Sequence, residues 1–276
     1  MVFELARAKT NLGLAVLGKR PDGYHELHTL FASLDFADRV YLEPQKSGVT
    51  LEVRGANLPT GRENLAHRAA LSYLEAAGIA EGVKITLEKE IPVAAGLGGG
   101  SADAAAVLRG MERLFGAGVD LFALAKRLGA DVPFLITGGL AEARGVGEVL
   151  SPLPPPGGLV FTLLNPGFPL ATAQVYSALT PSDYGGELDV RAILKALAKG
   201  EPPPWRNDLE PPAFRLFPEL AWLKVELTRL GLSPLLSGSG PTFVIPGDAA
   251  SLLKKRYPDL WVRRVALWPG GDSTSS

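Results

Sequence analysis

Pro92-Val93-Ala94-Ala95-Gly96-Leu97-Gly98-Gly99-Gly100-Ser101 places four glycines within five residues, between two stretches of opposite periodicity. Upstream, Val83-Lys84-Ile85-Thr86-Leu87-Glu88 alternates apolar and polar residues as a half-buried strand does. Downstream, Ser101 to Phe115 is alanine-rich and reads as a helix. The order is strand, glycine loop, helix. Glycines tolerate positive φ and let the backbone approach a bulky anion. With Ser101 as the cap of the following helix, the unpaired N–H groups and the positive end of the helix dipole point at one place. A flexible linker or a tight turn is the competing reading of the glycines alone. Two better-known phosphate loops do not fit. Gly100-Ser101-Ala102 has no lysine where a Walker loop needs one, and Gly96-x-Gly98-x-x-Ser101 lacks the last glycine of a dinucleotide fingerprint.

Working outward, the first fifty residues hold short strand-like runs, Phe3–Ala8, Leu12–Leu17, Arg39–Glu43 and Val49–Arg54, separated by turn signals such as Pro21-Asp22-Gly23. Asn64 leads Leu65, Ala69, Tyr73 and Leu74 at helical spacing, and Gly78 stands where a C-terminal glycine cap belongs. A further helix runs from about Asp120 to Leu128 and closes at Gly129, which puts Asp131 at a junction. Pro152-Leu153-Pro154-Pro155-Pro156-Gly157-Gly158 cannot continue a helix or a central strand and is taken as a domain boundary, with domains at 1–152 and 158–270. Beyond it come a strand at Leu159–Leu164 and helices near Ala171–Ala178, Asp189–Lys199 and Glu219–Leu230. Strands follow near Leu235, Phe243 and Val262, with a helix at Asp248–Arg256 and a frayed tail from Gly270 to Ser276. Interleaved strands and helices make this an α+β protein.

Composition narrows the function. The 276 residues are 46 % hydrophobic and 21 % charged, an ordinary globular balance, and the length suggests two domains at roughly 100–200 residues each. A formal charge of −1 supplies no global field for nucleic acid. Zero cysteines exclude disulfides, thiolate catalysis and cysteine-held metals. Of the three histidines, His25 and His28 stand three apart with no ligand constellation around them. The N-terminus lacks a signal-peptide pattern, and no apolar run reaches the ~20 residues that span a bilayer, so a cytoplasmic protein without membrane partners is expected.

Three segments then look alike to one family. Ala8-Lys9-Thr10-Asn11-Leu12, Pro92 to Ser101, and Leu236-Ser237-Gly238-Ser239-Gly240-Pro241 resemble, in order, the three motifs of the galactokinase, homoserine kinase, mevalonate kinase and phosphomevalonate kinase (GHMP) superfamily. Arg20-Pro21-Asp22-Gly23-Tyr24-His25-Glu26-Leu27 and Asn207-Asp208-Leu209-Glu210 resemble the branch that phosphorylates a cytidine-diphosphate-linked methylerythritol at its 2-hydroxyl, in non-mevalonate isoprenoid biosynthesis. The resemblance implies a two-domain α+β fold: an N-terminal domain like ribosomal protein S5 domain 2 that binds ATP, and a C-terminal ferredoxin-like α/β-plait. It also implies Mg²⁺ and ATP as the phosphoryl source.

Carried over residue by residue, Lys9 and Asp131 match the catalytic pair. A carboxylate can orient the hydroxyl and accept its proton while an ammonium stabilises developing charge, so that catalysis is mostly positioning. By residue type alone, Lys9 also suits a solvated surface and Asp131 a turn or cap. Pro92, Val93, Ala94, Ala95, Gly96, Leu97, Gly98, Gly99, Gly100, Ser101 and Ala102 match the ATP-binding loop, and Asn64 and Lys89 match the adenosine pocket. Asn11 matches a substrate-orienting residue. Tyr24, His25 and Tyr176 match the residues that read cytosine, although Tyr176 equally suits the core face of an amphipathic helix and His25 a structural histidine. Ala102 departs from the second serine of many relatives, leaving any hydroxyl contact to phosphate or metal to Ser101. No acidic cluster specifies a metal site, so Mg²⁺ is expected to be held largely by the nucleotide's phosphates. Two other readings stay open: a GHMP kinase for another small alcohol, and an inactive nucleotide-binding homologue.

Overall fold

The structure, a computed structural model, describes residues 1–271; of the expected tail, 272–276 lie outside the described residues. The chain forms two compact units. One comprises Met1–Lys9, Phe36–Val93 and Gly98–Gly138; the other comprises Thr10–Asp35, Ala94–Leu97 and the chain from Gly139 on. Strands β1 (Val2–Lys19) and β2 (His25–Gln45) each contribute one half to either unit.

Both strands are longer than the pattern suggested. The alternation of β1 breaks at Lys9-Thr10-Asn11, which the sequence shows as a polar interruption between two runs. All three side chains are buried, at 5 %, 0 % and 1 % exposure, and the strand continues because they find partners inside the protein. Buried polar groups are tolerated when bonded, and such groups blur the period-2 signal.

In the first unit, β4 (Gly82–Glu88) lies between the antiparallel second half of β2 and the parallel β3 (Val49–Arg54). A parallel neighbour needs a crossover, and α1 (Leu65–Ala77) supplies it. Its ends are as expected: Asn64 Oδ1 accepts from the Ala66 N–H at 2.9 Å, and Gly78 closes it at φ +64°. Helix α2 (Gly99–Phe115) follows the glycine loop, then α3 (Leu121–Leu128), capped by Asp120. A short α4 (Val132–Thr137), which the sequence reading did not identify, completes the unit. Small residues on α2 let it lie tight on the sheet; a Cβ on Gly110 would stand 2.2 Å from Leu42 Cδ1.

In the second unit, the first half of β2 pairs with β5 (Leu140–Gly145), which pairs with the edge strand β6 (Val149–Leu153). Pro152 is accommodated there because an edge position needs fewer ladder N–H groups. A second sheet joins β7 (Val160–Asn165), β8 (Leu235–Leu236), β9 (Phe243–Pro246) and β10 (Trp261–Ala266) in the order β10-β7-β9-β8, all antiparallel. In chain order that is 4-1-3-2, the arrangement of a ferredoxin-like plait. Helices α5 (Thr172–Ser177), α6 (Val190–Lys199), α7 (Glu210–Leu216) and α8 (Pro218–Arg229) lie between β7 and β8 in the chain, and α9 (Ala250–Arg256) lies between β9 and β10. Leu164, Val175, Leu220, Leu223, Phe243 and Leu253 are among its fully buried core.

Candidate active site

The glycine loop turns into α2 two residues earlier than expected. Gly98, in the left-handed region at φ +68°, occupies the cap position, and its carbonyl accepts the Ala102 N–H at 2.8 Å. Ser101 therefore lies inside the first turn, and no side chain caps this helix. The N–H groups of Gly99, Gly100 and Ser101 precede the first intrahelical bond, leaving a 17-residue helix with an uncapped positive end. Ala102 is 1 % exposed, so a methyl group there serves packing.

Lys9 and Asp131 meet within the same unit. Nζ stands 3.1 Å from Asp131 Oδ2, with Lys9 buried and the Asp131 side chain about one-third exposed. Burial removes the solvated-surface reading of Lys9. Asp131 does occupy the cap position of α4, but its carboxylate makes no capping bond. It is turned to the lysine instead. Gly98 belongs to this arrangement because its missing side chain leaves room for the Lys9 alkyl chain; a Cβ would fall 2.8 Å from Lys9 Cγ.

The loop's middle is shaped in the second unit. Gly96 has φ +74°, and a Cβ there would stand 2.2 Å from the Ser237 carbonyl and 2.8 Å from that of Gly240. Ser237 Oγ donates to Gly96 O at 2.9 Å and accepts from Thr10 Oγ1 at 2.9 Å. The Ser237–Gly240 segment thus links β8 and β9 and also fits against the loop. Ala94 takes φ +53°, Val93 is exposed, and Ala95 and Leu97 are buried.

Also in the second unit, His25 opens β2, and its ring lies 5.6 Å from that of Tyr176 and 6.0 Å, edge-on, from that of Tyr184. Burial, assisted by the Lys19 ammonium, pulls His25 below its ordinary 6.5. A neutral imidazole offers one donor and one acceptor nitrogen. Tyr24 is 65 % exposed. Tyr176 also packs against the core, as the core-face reading of its helix expected. Asn11 Nδ2 donates to Thr29 Oγ1 at 2.7 Å, and Thr29 in turn donates to Gly13 O at 2.6 Å.

Asn64 and Lys89 both stand in the first unit, and both have protein partners. The Asn64 amide donates to Pro59 O at 2.9 Å, while the Lys89 ammonium is buried between Asp38 and Asp103. Among the described residues, no three His, Asp or Glu side chains converge as a metal cage, and no helix is long and apolar enough to cross a membrane.

The family model for the GHMP kinases N terminal domain matches residues 64–139, from the cap of α1 through the glycine loop and Asp131. A 4-diphosphocytidyl-2-C-methyl-D-erythritol kinase from Thermus thermophilus is 58 % identical over 277 residues, covering 99 % of this chain and 98 % of its own. The chain belongs to the 4-diphosphocytidyl-2-C-methyl-D-erythritol kinase family. A member from Pelotomaculum thermopropionicum is 45 % identical with 91 % of each chain covered. A crystal structure of 4-(cytidine 5'-diphospho)-2C-methyl-D-erythritol kinase superposes with TM-score 0.85 at 51 % identity, over 96 % of this chain and 99 % of that one. Homoserine kinase from Cytophaga hutchinsonii, at TM-score 0.76 and 21 % identity, shares the fold. This is therefore a small-molecule kinase with the GHMP fold, as the three sequence motifs implied.

The 4-diphosphocytidyl-2-C-methyl-D-erythritol kinase frame also contains braces that sequence reading missed. Asn207 Nδ2 donates to Leu236 O and Gly238 O at 2.8 and 2.6 Å, and Asp208 Oδ2 accepts from the N–H groups of Val16 and Gly185, both at 2.8 Å. Glu210 Oε1 accepts from Leu236 N–H at 3.0 Å. The Asn207-to-Glu210 motif thus holds the third motif's turn. Tyr184 beside His25, and the carboxylates around Lys89, carried no local pattern that could have revealed them.

Proposed function

We propose that the chain transfers the γ-phosphoryl group of ATP to the 2-hydroxyl of 4-diphosphocytidyl-2-C-methyl-D-erythritol, giving ADP and the 2-phosphate. The Lys9–Asp131 pair carries this reading: a carboxylate about one-third exposed, not used as a cap, is held 3.1 Å from a buried ammonium. In the proposal, Asp131 orients the hydroxyl and takes its proton, while Lys9 stabilises charge on the oxygens around the transferred phosphoryl group. The amides of Gly99, Gly100 and Ser101 receive the phosphates, since a helix N-terminus favours anions. Mg²⁺ would arrive with the nucleotide and neutralise phosphate charge, with the Ser101 hydroxyl near the start of α2 as the loop's one hydroxyl donor.

The nucleotide end is assigned to Pro92–Ala102 with Asn64 and Lys89, the latter through its backbone and alkyl chain because its ammonium is occupied. Asn11 orients the alcohol, and Tyr24, His25 and Tyr176 read the cytosine by stacking and hydrogen bonding. The relatives' names support the cytidine-linked alcohol over other GHMP substrates. The division at 1–152 and 158–270 and a cytoplasmic setting belong to the same proposal.

The test is ADP release by purified protein with Mg-ATP and the cytidine compound, beside cytidine-free methylerythritol, mevalonate and homoserine. Turnover confined to the cytidine compound is expected. Turnover with another alcohol would keep the kinase and remove the cytidine site; ATP binding without turnover on any would leave an inactive homologue.

A further inference from the structure

Lys89 sits where a nucleotide contact was expected, yet its side chain is 4 % exposed and its ammonium donates to Asp38 and, at 2.7 Å, to Asp103. Asp38 and Asp103 are themselves 0 % and 2 % exposed. Two carboxylates and one ammonium buried together are costly to assemble, and hydrophobic residues of similar volume would stabilise at least as well. Their placement suggests what else they do. Asp38, on β2, turns its other oxygen to the N–H groups of Glu90 and Ile91, at 2.5 and 2.8 Å, the last residues before Pro92. Asp103 lies on α2 just after the loop's last residues. Gly99 lies over the cluster: a Cβ there would be 3.1 Å from Ile91 Cγ2 and 3.4 Å from Lys89 Nζ.

We propose that Asp38, Lys89 and Asp103 form a buried clamp that joins the entry and exit of the glycine loop and so holds the amides of Gly99 to Ser101 ready for phosphate. Lys89 is then a positioning residue acting through the loop. Fixed donors stabilise an anion without reorganising when it arrives, so a loosened clamp should weaken phosphate binding while sparing the nucleoside. Within the cluster, Lys89 keeps its charge. Burial works against the Lys89 charge, but the pull of Asp103 and Asp38 outweighs it and raises Lys89 above its ordinary value. Burial pushes Asp103 up to about 7, against the lowering effect of Lys89, and its Oδ1 is buried without a partner. The inference rests on the reading that the loop binds ATP phosphates.

The experiment compares dissociation constants for ATP and for adenosine in the wild type, Asp103→Asn, Asp38→Asn and Lys89→Met, with circular dichroism as a folding check. Lys89→Met leaves two carboxylates without their cation and can fail to fold; the isosteric Asn variants then carry the test. In either Asn variant, ATP binding is expected to weaken roughly ten- to hundred-fold while adenosine binding stays within about two-fold. Variants that keep the wild-type preference for ATP over adenosine overturn the clamp alone. Loss of ATP affinity in Lys89→Met but in neither Asn variant overturns it too, because Lys89 would then touch the nucleotide directly. A wild type that binds adenosine as tightly as ATP removes the phosphate loop, and the clamp with it.

Discussion

Gly98 lies so close along the Lys9 side chain that a Cβ on it would stand 2.8 Å from Lys9 Cγ and 3.1 Å from Cε. The residue is required twice over, since its φ of +68° is also one that L side chains rarely adopt. Gly98→Ala should therefore push the Lys9 ammonium away from Asp131 as well as strain the entry to α2. A drop in kcat on the order of 100-fold is expected, because small misplacements of positioned groups have effects of that size. Gly116→Ala is the control: it ends the same helix at φ +62° with nothing within 4 Å, so it bears the backbone strain alone. Steady-state kinetics on both should show the loss in the first variant only. Equal losses would mean that Lys9 is not held by this contact.

Asp131→Asn keeps the shape of the side chain and removes its capacity to take a proton. The expected result is a fall in kcat of roughly 10²–10⁴, with both KM values changed less than about three-fold. Stability should also fall, because the buried Lys9 ammonium loses its counter-charge even though the carboxylate makes no capping bond. Thermal unfolding beside initial rates checks this. A large rise in either KM with kcat preserved would make Asp131 a binding residue.

These two residues mark where the sequence was readable. The strand, glycine loop and helix order, the helix ends at Asn64 and Gly78, the helix starts near Asp120 and Asp189, and the strands of the second sheet all rest on local chemistry, which sequence displays. The continuity of β1 through Lys9, Thr10 and Asn11 does not, because those polar residues are satisfied by groups far along the chain, such as Ser237. The helix α4 was hidden for a different reason: at six residues, with Pro133 in its first turn, it is too short for periodicity to emerge. Likewise, Asp38 and Asp103 look like ordinary polar residues until the fold brings Lys89 between them.

His25 gives the site a pH signature. Its value lies below the ordinary 6.5 because burial, then Lys19, disfavours the imidazolium. On lowering the pH, the unfolded chain takes up this proton first, so the contribution of His25 to stability declines from about 6.5 down to the folded value and stays low beneath it. Within the folded protein the imidazole remains neutral across that window. KM for the cytidine-linked alcohol should thus stay level through pH 6.5 and rise only at lower pH, as the ring loses its acceptor. His25→Gln should raise KM about ten-fold at neutral pH, the loss of roughly one hydrogen bond, and abolish the further rise in acid. A wild-type KM that already climbs from pH 7.5 to 6.5 would contradict the neutral imidazole.

Thr10, Ser237 and Gly96 form a hydrogen-bond chain whose links should not add. Thr10 Oγ1 donates to Ser237 Oγ, and Ser237 Oγ donates to Gly96 O, each at 2.9 Å, with Thr10 and Ser237 fully buried. Ser237→Ala removes both bonds at once and leaves the Thr10 hydroxyl without its acceptor, a cost of about 1–3 kcal/mol. Thr10→Val removes only the first bond, in a side chain of nearly the same shape, and should cost less. In the double variant the orphaned hydroxyl is gone, so the total should fall short of the sum by about 1 kcal/mol. Urea unfolding of the four proteins measures that difference directly. Strict additivity would show that Thr10 is satisfied elsewhere and that the turn holds Gly96 without it.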